Sequence, residues 1–250
     1  VILPLVIVYA ATRAFWWAVS EPWMLTAAFW AEGALKIALW VPTAVLAVMA
    51  LRGGSWRDAV GELGLLSPAW RGTGLVALAT VPMVALLLSA GGWSVRPSAL
   101  VSVALLGPLA EEVLYRGFFF QQLCQRARWP MWAAALASAL AFAIAHHQDF
   151  DVTLTVGLLR NDLATPLTIL GPPLLATLAG GCLFAWMTWR WRSLWPAIVL
   201  HGAMNFWWDI TPRTVDPIVA TIAHGTAIGL AILVTGKETK LSGIWESGNR

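Results

Sequence analysis

Residues 107–117 read Gly107-Pro108-Leu109-Ala110-Glu111-Glu112-Val113-Leu114-Tyr115-Arg116-Gly117, two adjacent glutamates inside an apolar stretch. The flanks, Ser98 to Gly107 on one side and Gly117 to Phe120 on the other, are hydrophobic enough to set the pair in lipid or buried protein. A carboxylate at that depth is costly, and where one occurs it usually has a function. Glu112 and Arg116 stand at i and i+4, share one helix face and can neutralise each other. Glu111 points about 100° away around the same helix, with no partner nearby in sequence, which leaves one acidic group for chemistry.

Composition extends this reading to the whole chain. Its 250 residues are 59% hydrophobic and 12% charged, where soluble domains carry roughly a quarter charged residues, and the mean hydropathy is +0.71. The class this implies is all-α: a polytopic membrane protein whose apolar runs each span a hydrocarbon core of roughly 30 Å. Eight such segments are expected, at 2–19, 24–50, 73–91, 99–124, 131–147, 166–188, 194–208 and 217–235. They make up a single transmembrane domain over 1–236, with a catalytic core at 98–208 and a short polar tail at 237–250. The first segment lacks a basic leader and a small-residue cleavage site, so it reads as a retained span rather than a signal peptide. Cys124 and Cys182 form no framework and are expected as free thiols.

Charge placement orients the spans. Arg52, Arg57, Arg71, Arg126, Arg128, Arg190, Arg192 and Lys237 fall in the even loops or the C-terminal tail. The odd loops hold Arg96, Arg160 and Arg213 against six acidic residues, among them Glu21, Asp149 and Asp209. By the positive-inside rule both termini are cytoplasmic, in a multi-pass protein of the plasma membrane. The net charge of +3 then reflects membrane sidedness, and no nucleic-acid partner is implied. The connector from Arg52 to Gly72 interleaves Trp56, Val60, Leu63 and Leu66 with Arg57, Asp58 and Glu62, the pattern of a segment lying along the membrane surface. Most of the 17 tryptophans cluster near span ends, where interfacial anchoring accounts for them. No internal repeat is visible, which argues against a transporter of duplicated halves.

Two further polar clusters stand at membrane depth. The fifth segment ends in Ala145-His146-His147, and the seventh carries His201 and Asn205 four residues apart on one helix face. At 1.5 Å per residue, Glu111 lies about 22 Å from Arg126 and His201 about 14 Å from Arg192, levels that permit one polar cavity between helices 4, 5 and 7. His147 reads as a helix-end histidine bonded to a backbone carbonyl, and the lone His224 as structural. Lys36 and Glu32, at i and i+4 in the second segment, read as mutual neutralisers.

Glu111-Glu112-x-x-x-Arg116, Phe142-x-x-x-His146 and His201-x-x-x-Asn205, in this order on successive helices, resemble the three signature motifs of the CAAX-protease and bacteriocin-processing family, the intramembrane proteases related to the type II prenyl-protein endopeptidase. The flanks agree: the 107–117 stretch is similar to the family's first motif, and Ser193-Leu194-Trp195-Pro196-Ala197-Ile198-Val199-Leu200-His201 to its approach to the last. The resemblance covers residues 98–208 and implies hydrolysis of a peptide bond by a glutamate-activated water. Glu111 would be the general base, and His146 would hold and polarise the water. His201 and Asn205 would donate to the oxyanion, and Glu112 with Arg116 would support them. The implied partner is a peptide or protein substrate, possibly lipidated, within the bilayer.

Alternatives stay open. Glu111, His146 and His201 are also the ligand inventory of a zinc site, which would activate the water instead. Against zinc, no His-Glu-x-x-His helix is present and Asn205 would lack a task, so no cofactor is the favoured reading. A non-catalytic scaffold or bacteriocin-immunity factor of the same fold would keep the motifs without turnover. A proton-coupled transporter would also use buried Glu and His.

Overall fold

The computed structural model describes residues 2–24, 29–91, 99–146, 164–210 and 215–237, with side chains at 2–14, 33–91, 101–145, 164, 171–172, 174–206 and 215–237. Every regular element among them is helical. Helices suit an apolar solvent because each backbone N–H and C=O is satisfied within the segment. In order they are α1 (Ile2–Met24), α2 (Phe29–Arg52), α3 (Trp56–Glu62), α4 (Trp70–Ser89), a continuous run of four pieces, α7 (Met131–His146), α8 (Ala164–Trp191), α9 (Trp195–Ile210) and α10 (Pro217–Lys237). The run consists of π1 (Ala99–Leu106), α5 (Gly107–Glu112), π2 (Val113–Phe120) and α6 (Gln121–Gln125). Its junction residues Leu106, Val113 and Gln121 all keep right-handed helical dihedrals, so the chain does not bend away between pieces.

The long helices fall on the eight expected segments to within a few residues, and α3 is added in the connector. Among the described residues three stretches are long and apolar enough to cross a membrane, Gly33–Arg52, Trp70–Ser89 and Pro217–Lys237. Ile2–Ala14 and Met131–Ala145 are shorter apolar helices. Large apolar side chains such as Leu3, Leu46, Leu78, Leu175 and Ile218 face outward, as lipid-facing positions do. The loop expected from Gln148 onward lies outside the described residues up to 163, as does the tail from 238.

The run at 99–125 is the centre of the bundle. α2 packs along π1, α5 and π2, α7 along π2, and α9 along π1 and α5, while α4 and α10 pair on the far side of α9. Val113, Leu114, Phe118 and Phe120 are fully or almost fully buried in the main core with Leu63 and Leu194. Tyr115 sits among Trp40, Phe119 and Phe142, with ring centroids 6.2, 6.0 and 5.2 Å away. Polar bonds tie the helices at depth: Ser138 Oγ donates to the carbonyl of Tyr115 at 2.6 Å. From α1, Tyr9 Oη donates to Ala141 O at 3.3 Å and Arg13 Nη1 to Ala145 O at 3.2 Å, holding the last turn of α7.

The connector is tied to the neighbouring helix ends. Ser55 and Asp58 form a capping box at the start of α3, and the bonds from the Ser55 hydroxyl and backbone N–H hold the Asp58 carboxyl below its ordinary range. At the other end of α3, Glu62 accepts from Gln122 at 2.8 Å, Arg126 at 3.2 Å and Arg52 at 3.3 Å, and Leu63 is buried. Leu194 N and Trp195 Nε1 then donate to Gly64 O and Leu65 O, at 3.1 and 3.0 Å. Trp56 and Trp70 stay exposed, as the amphipathic pattern requires. Of the tryptophans expected as interfacial anchors, Trp129, Trp132 and Trp189 are exposed and Trp191 and Trp195 half-buried; Trp191 Nε1 donates to Thr235 Oγ1 at 3.2 Å.

Glycines allow close approaches around the central run. A Cβ on Gly202 would stand 2.2 Å from the Ala104 carbonyl oxygen, and one on Gly181 would stand 2.7 Å from Ala139 Cβ and 3.0 Å from Arg116 Nη2. Small residues let membrane helices close to this distance. Gly202→Ala cannot be absorbed by a side chain, since the obstacle is backbone, so α9 must move off π1. The expected cost is about 1–3 kcal/mol, read as a lowered midpoint of thermal unfolding in detergent, while Gly229→Ala, with open space around it, should leave the midpoint unchanged.

Candidate active site

The last turn of α5 carries both glutamates, between two π-helical stretches, a placement common at functional sites. Glu112 is fully buried and Glu111 is 5% exposed. Arg116, one turn on in π2, is itself fully buried and donates through Nη1 to Glu112 Oε1 at 2.9 Å, so the i,i+4 pairing expected from the sequence is present. The remaining faces of the guanidinium meet aromatic rings: its Cζ lies 4.3 Å from the centroid of Phe142 on α7 and 5.3 Å from that of Phe184 on α8. Its Nε and Nη2 have no hydrogen-bond partner among the described residues, and ring faces stand in for acceptors.

Glu111 differs from the sequence expectation of an acidic group left alone. Lys36 of α2 donates through Nζ to Glu111 Oε1 at 2.8 Å, with both side chains largely buried. The two residues are 75 apart in sequence, so no local pattern could pair them. Lys36 had a plausible neighbour in Glu32, whose side chain lies outside the described residues. What the sequence did offer was a charged pair, Glu32 and Lys36, inside an apolar span.

His201 enters from α9, 4% exposed, and stands between the two carboxylates. Its Nδ1 is 2.8 Å from Glu112 Oε1, and its Nε2 is 3.6 Å from Glu111 Oε2. Glu112, already accepting from Arg116, can only accept, so the histidine donates from Nδ1 and presents Nε2 to the side of Glu111. Phe184 stacks on the imidazole, with centroids 4.9 Å apart and planes at 17°, and Phe142 meets it edge-on at 5.9 Å. Phe142 thus gains a physical task its motif position did not reveal, and Phe184 gave no sequence signal at all.

Asn205, half-buried, follows His201 by one turn of α9. His146 is the last residue of α7, and its side chain, with all of His147, lies outside the described residues. The described geometry therefore brings together Glu111, Glu112, Arg116 and His201, adds Lys36, and sets Asn205 beside them in register. His224 is remote on α10, its Nδ1 2.8 Å from Ala220 O, and Cys124 and Cys182 are free.

Lys36 occupies Glu111 Oε1 and Glu112 engages Nδ1 of His201, so Glu111 Oε2 and His201 Nε2, 3.6 Å apart, are the atoms turned toward each other.

Residues 92–207 match the family described as type II CAAX prenyl endopeptidase Rce1-like. Among curated proteins, an uncharacterized 24.3 kDa protein of Escherichia coli is 41% identical over 49 residues, 20% of this chain and 23% of that protein. The chain thus spans about a quarter of that relative's length. No solved structure matches. The matched residues 92–207 contain the glutamate pair, Arg116, both motif histidines and Asn205, so the segment that carries the site is the one similar to the type II CAAX prenyl endopeptidase Rce1-like family.

Proposed function

We propose that this protein is an intramembrane endopeptidase, a single transmembrane domain of the plasma membrane with cytoplasmic termini, which hydrolyses peptide bonds of membrane-associated or lipidated substrates without a metal. The observation that carries the reading is His201 held between Glu111 and Glu112 in a buried, charge-compensated cluster, inside the segment that matches an endopeptidase family.

In this mechanism Glu111 takes a proton from a water molecule as the water oxygen attacks the scissile carbonyl carbon. The carbonyl oxygen becomes the oxyanion of a tetrahedral intermediate, stabilised by donors from Asn205 and from Nε2 of His201. Because Nδ1–H is committed to Glu112, Nε2 can donate only when the ring carries both protons, and Glu112 with Arg116 is the counter-charge placed to receive that form. Each such donor is typically worth about 3 kcal/mol in the transition state. The proton on Glu111 passes to the leaving nitrogen as the C–N bond breaks. His146, at the end of α7, would hold the water. Lys36 fixes Oε1 of Glu111, so that Oε2 is the oxygen turned toward His201 and the water.

Peptide-library digestion in detergent tests the reading. Glu111→Gln should lower kcat by about 10²- to 10⁴-fold, the usual contribution of a general base, while the protein still folds, with a lowered unfolding midpoint because Lys36 loses its carboxylate partner. Wild-type turnover should be unaffected by chelator. Turnover abolished by chelator and restored by zinc would transfer the water to a metal, and turnover equal in Glu111→Gln and wild type would sink the proposed base.

Lys36 offers a separate check. Lys36→Met frees Glu111 to rotate, which should cost on the order of 10- to 100-fold in kcat with little change in KM. Lys36→Arg should recover part of that loss, since it restores a cation to the same oxygen. A variant that loses substrate affinity and keeps kcat would instead make Lys36 a substrate contact.

A further inference from the structure

Two arginines near the ends of different helices adopt a backbone conformation that arginine rarely takes. Arg128, in the turn leaving α6, has φ of 56°, and Arg192, immediately after α8, has φ of 52°. This left-handed region penalises a Cβ, and helix ends that need it ordinarily use glycine or asparagine. Among the described residues the only other non-glycine residue with positive φ is Ala69. Strain held at two positions with the same side chain directs attention to what those side chains share.

They share a cavity of about 690 Å3, which Arg128, Arg192 and Arg52 line together. That volume is ordinary for a small-molecule site. One carboxylate, Glu62, also faces it, but its oxygens are taken up within the wall by Arg52, Arg126 and Gln122. The lining therefore has an excess of guanidinium. Trp129 and Trp189 complete the rim, 38% and 42% exposed. Half-exposed tryptophans at the ends of apolar helices mark the depth of lipid headgroups. The planar, weakly hydrated guanidinium is the side chain best suited to grip phosphate oxygens in pairs.

We propose that this cavity is a binding site for the phosphate of an anionic phospholipid headgroup, with Arg128 and Arg192 as its ligands. The site is separate from the glutamate cluster: its nearest residue on the central run, Phe120, is nine positions beyond Glu111, two and a half turns along the helix. It depends on none of the catalytic assignments. The arginines hold their left-handed backbones because a glycine there would relieve the strain and remove the ligand. The two tryptophans fix the glycerol end of the lipid at the interface, so the same phosphate chemistry in free solution would lack half of the site.

The test uses the full chain in detergent, mixed with vesicles of phosphatidylglycerol and phosphatidylcholine in equal parts, re-isolated by gel filtration and analysed for retained lipid. Wild type should retain phosphatidylglycerol at least about tenfold over phosphatidylcholine, as expected for several juxtamembrane cations. The double variant Arg128→Gly and Arg192→Gly should lose that preference while unfolding at the same temperature as wild type or higher, because glycine suits both backbones. Arg128→Lys with Arg192→Lys should retain an intermediate preference, with charge kept and the fork lost. Equal retention of the two lipids by wild type would overturn the proposal, as would an undiminished preference in the glycine variant. Full displacement of bound lipid by inorganic phosphate at modest concentration would assign the site to a soluble anion and also overturn it.

Discussion

The Glu112 carboxylate is the interaction on which the rest of the site depends. It is fully buried, and its Oε1 accepts from Arg116 at 2.9 Å and from His201 at 2.8 Å. Moving a carboxylate and a guanidinium from water into an apolar interior costs several kcal/mol per ion even after relaxation, and good geometry is needed to repay it. Here that geometry fixes three elements at once: α5 supplies the carboxylate, π2 the guanidinium and α9 the imidazole. Breaking such a set by removing one partner typically costs about 3–5 kcal/mol, so the cluster specifies how α9 sits on the central run as much as it prepares chemistry.

Aromatic rings complete what hydrogen bonds leave undone. Arg116 has five N–H donors, and at full burial those not bonded to Glu112 need an electron-rich surface. Phe142 and Phe184 supply it from α7 and α8, and the same two rings flank His201. The phenylalanine in the second motif is therefore a wall shared by the guanidinium and the histidine. A leucine there would fill the volume without the quadrupole that a cation prefers. Gly181 belongs to the same arrangement, since a Cβ at that position would press on Arg116 Nη2.

The parts legible in the sequence are those governed by short periods. Apolar runs marked the helices to within a few residues, because hydropathy over a membrane's thickness is a one-dimensional property. The Glu112–Arg116 pair was legible for the same reason, being set by the helical repeat. The contacts of Glu111 were not: Lys36 lies 75 residues away and His201 lies 89 residues from Glu112, and packing alone decides whether such groups meet. The connector showed the converse. Its amphipathic pattern allowed a helix lying on lipid, but Glu62 and Leu63 turn inward because the ends of α2 and α6 offer them Arg52, Arg126 and a buried apolar slot. An alternating pattern states that a segment has two faces without stating whether lipid or protein covers the apolar one.

Lys36 changes how the glutamate pair should be understood. With Arg116 and Lys36 each bound to one carboxylate, the cluster holds two anions and two fixed cations before the histidine is considered. A neutral set of that kind can remain buried without drawing in counter-ions. In the proposed mechanism one carboxylate keeps a stable role and the other changes protonation through the cycle. The geometry separates the two: Glu112 is locked by two donors on one oxygen, whereas Glu111 is held at Oε1 and turns Oε2 toward Nε2 of His201 across 3.6 Å, a gap too long for a hydrogen bond. A resting site built for stability alone would have closed that distance. Leaving it open, with a ring nitrogen on one side and a carboxylate oxygen on the other, is the condition under which a reacting water and a substrate carbonyl can reach both groups.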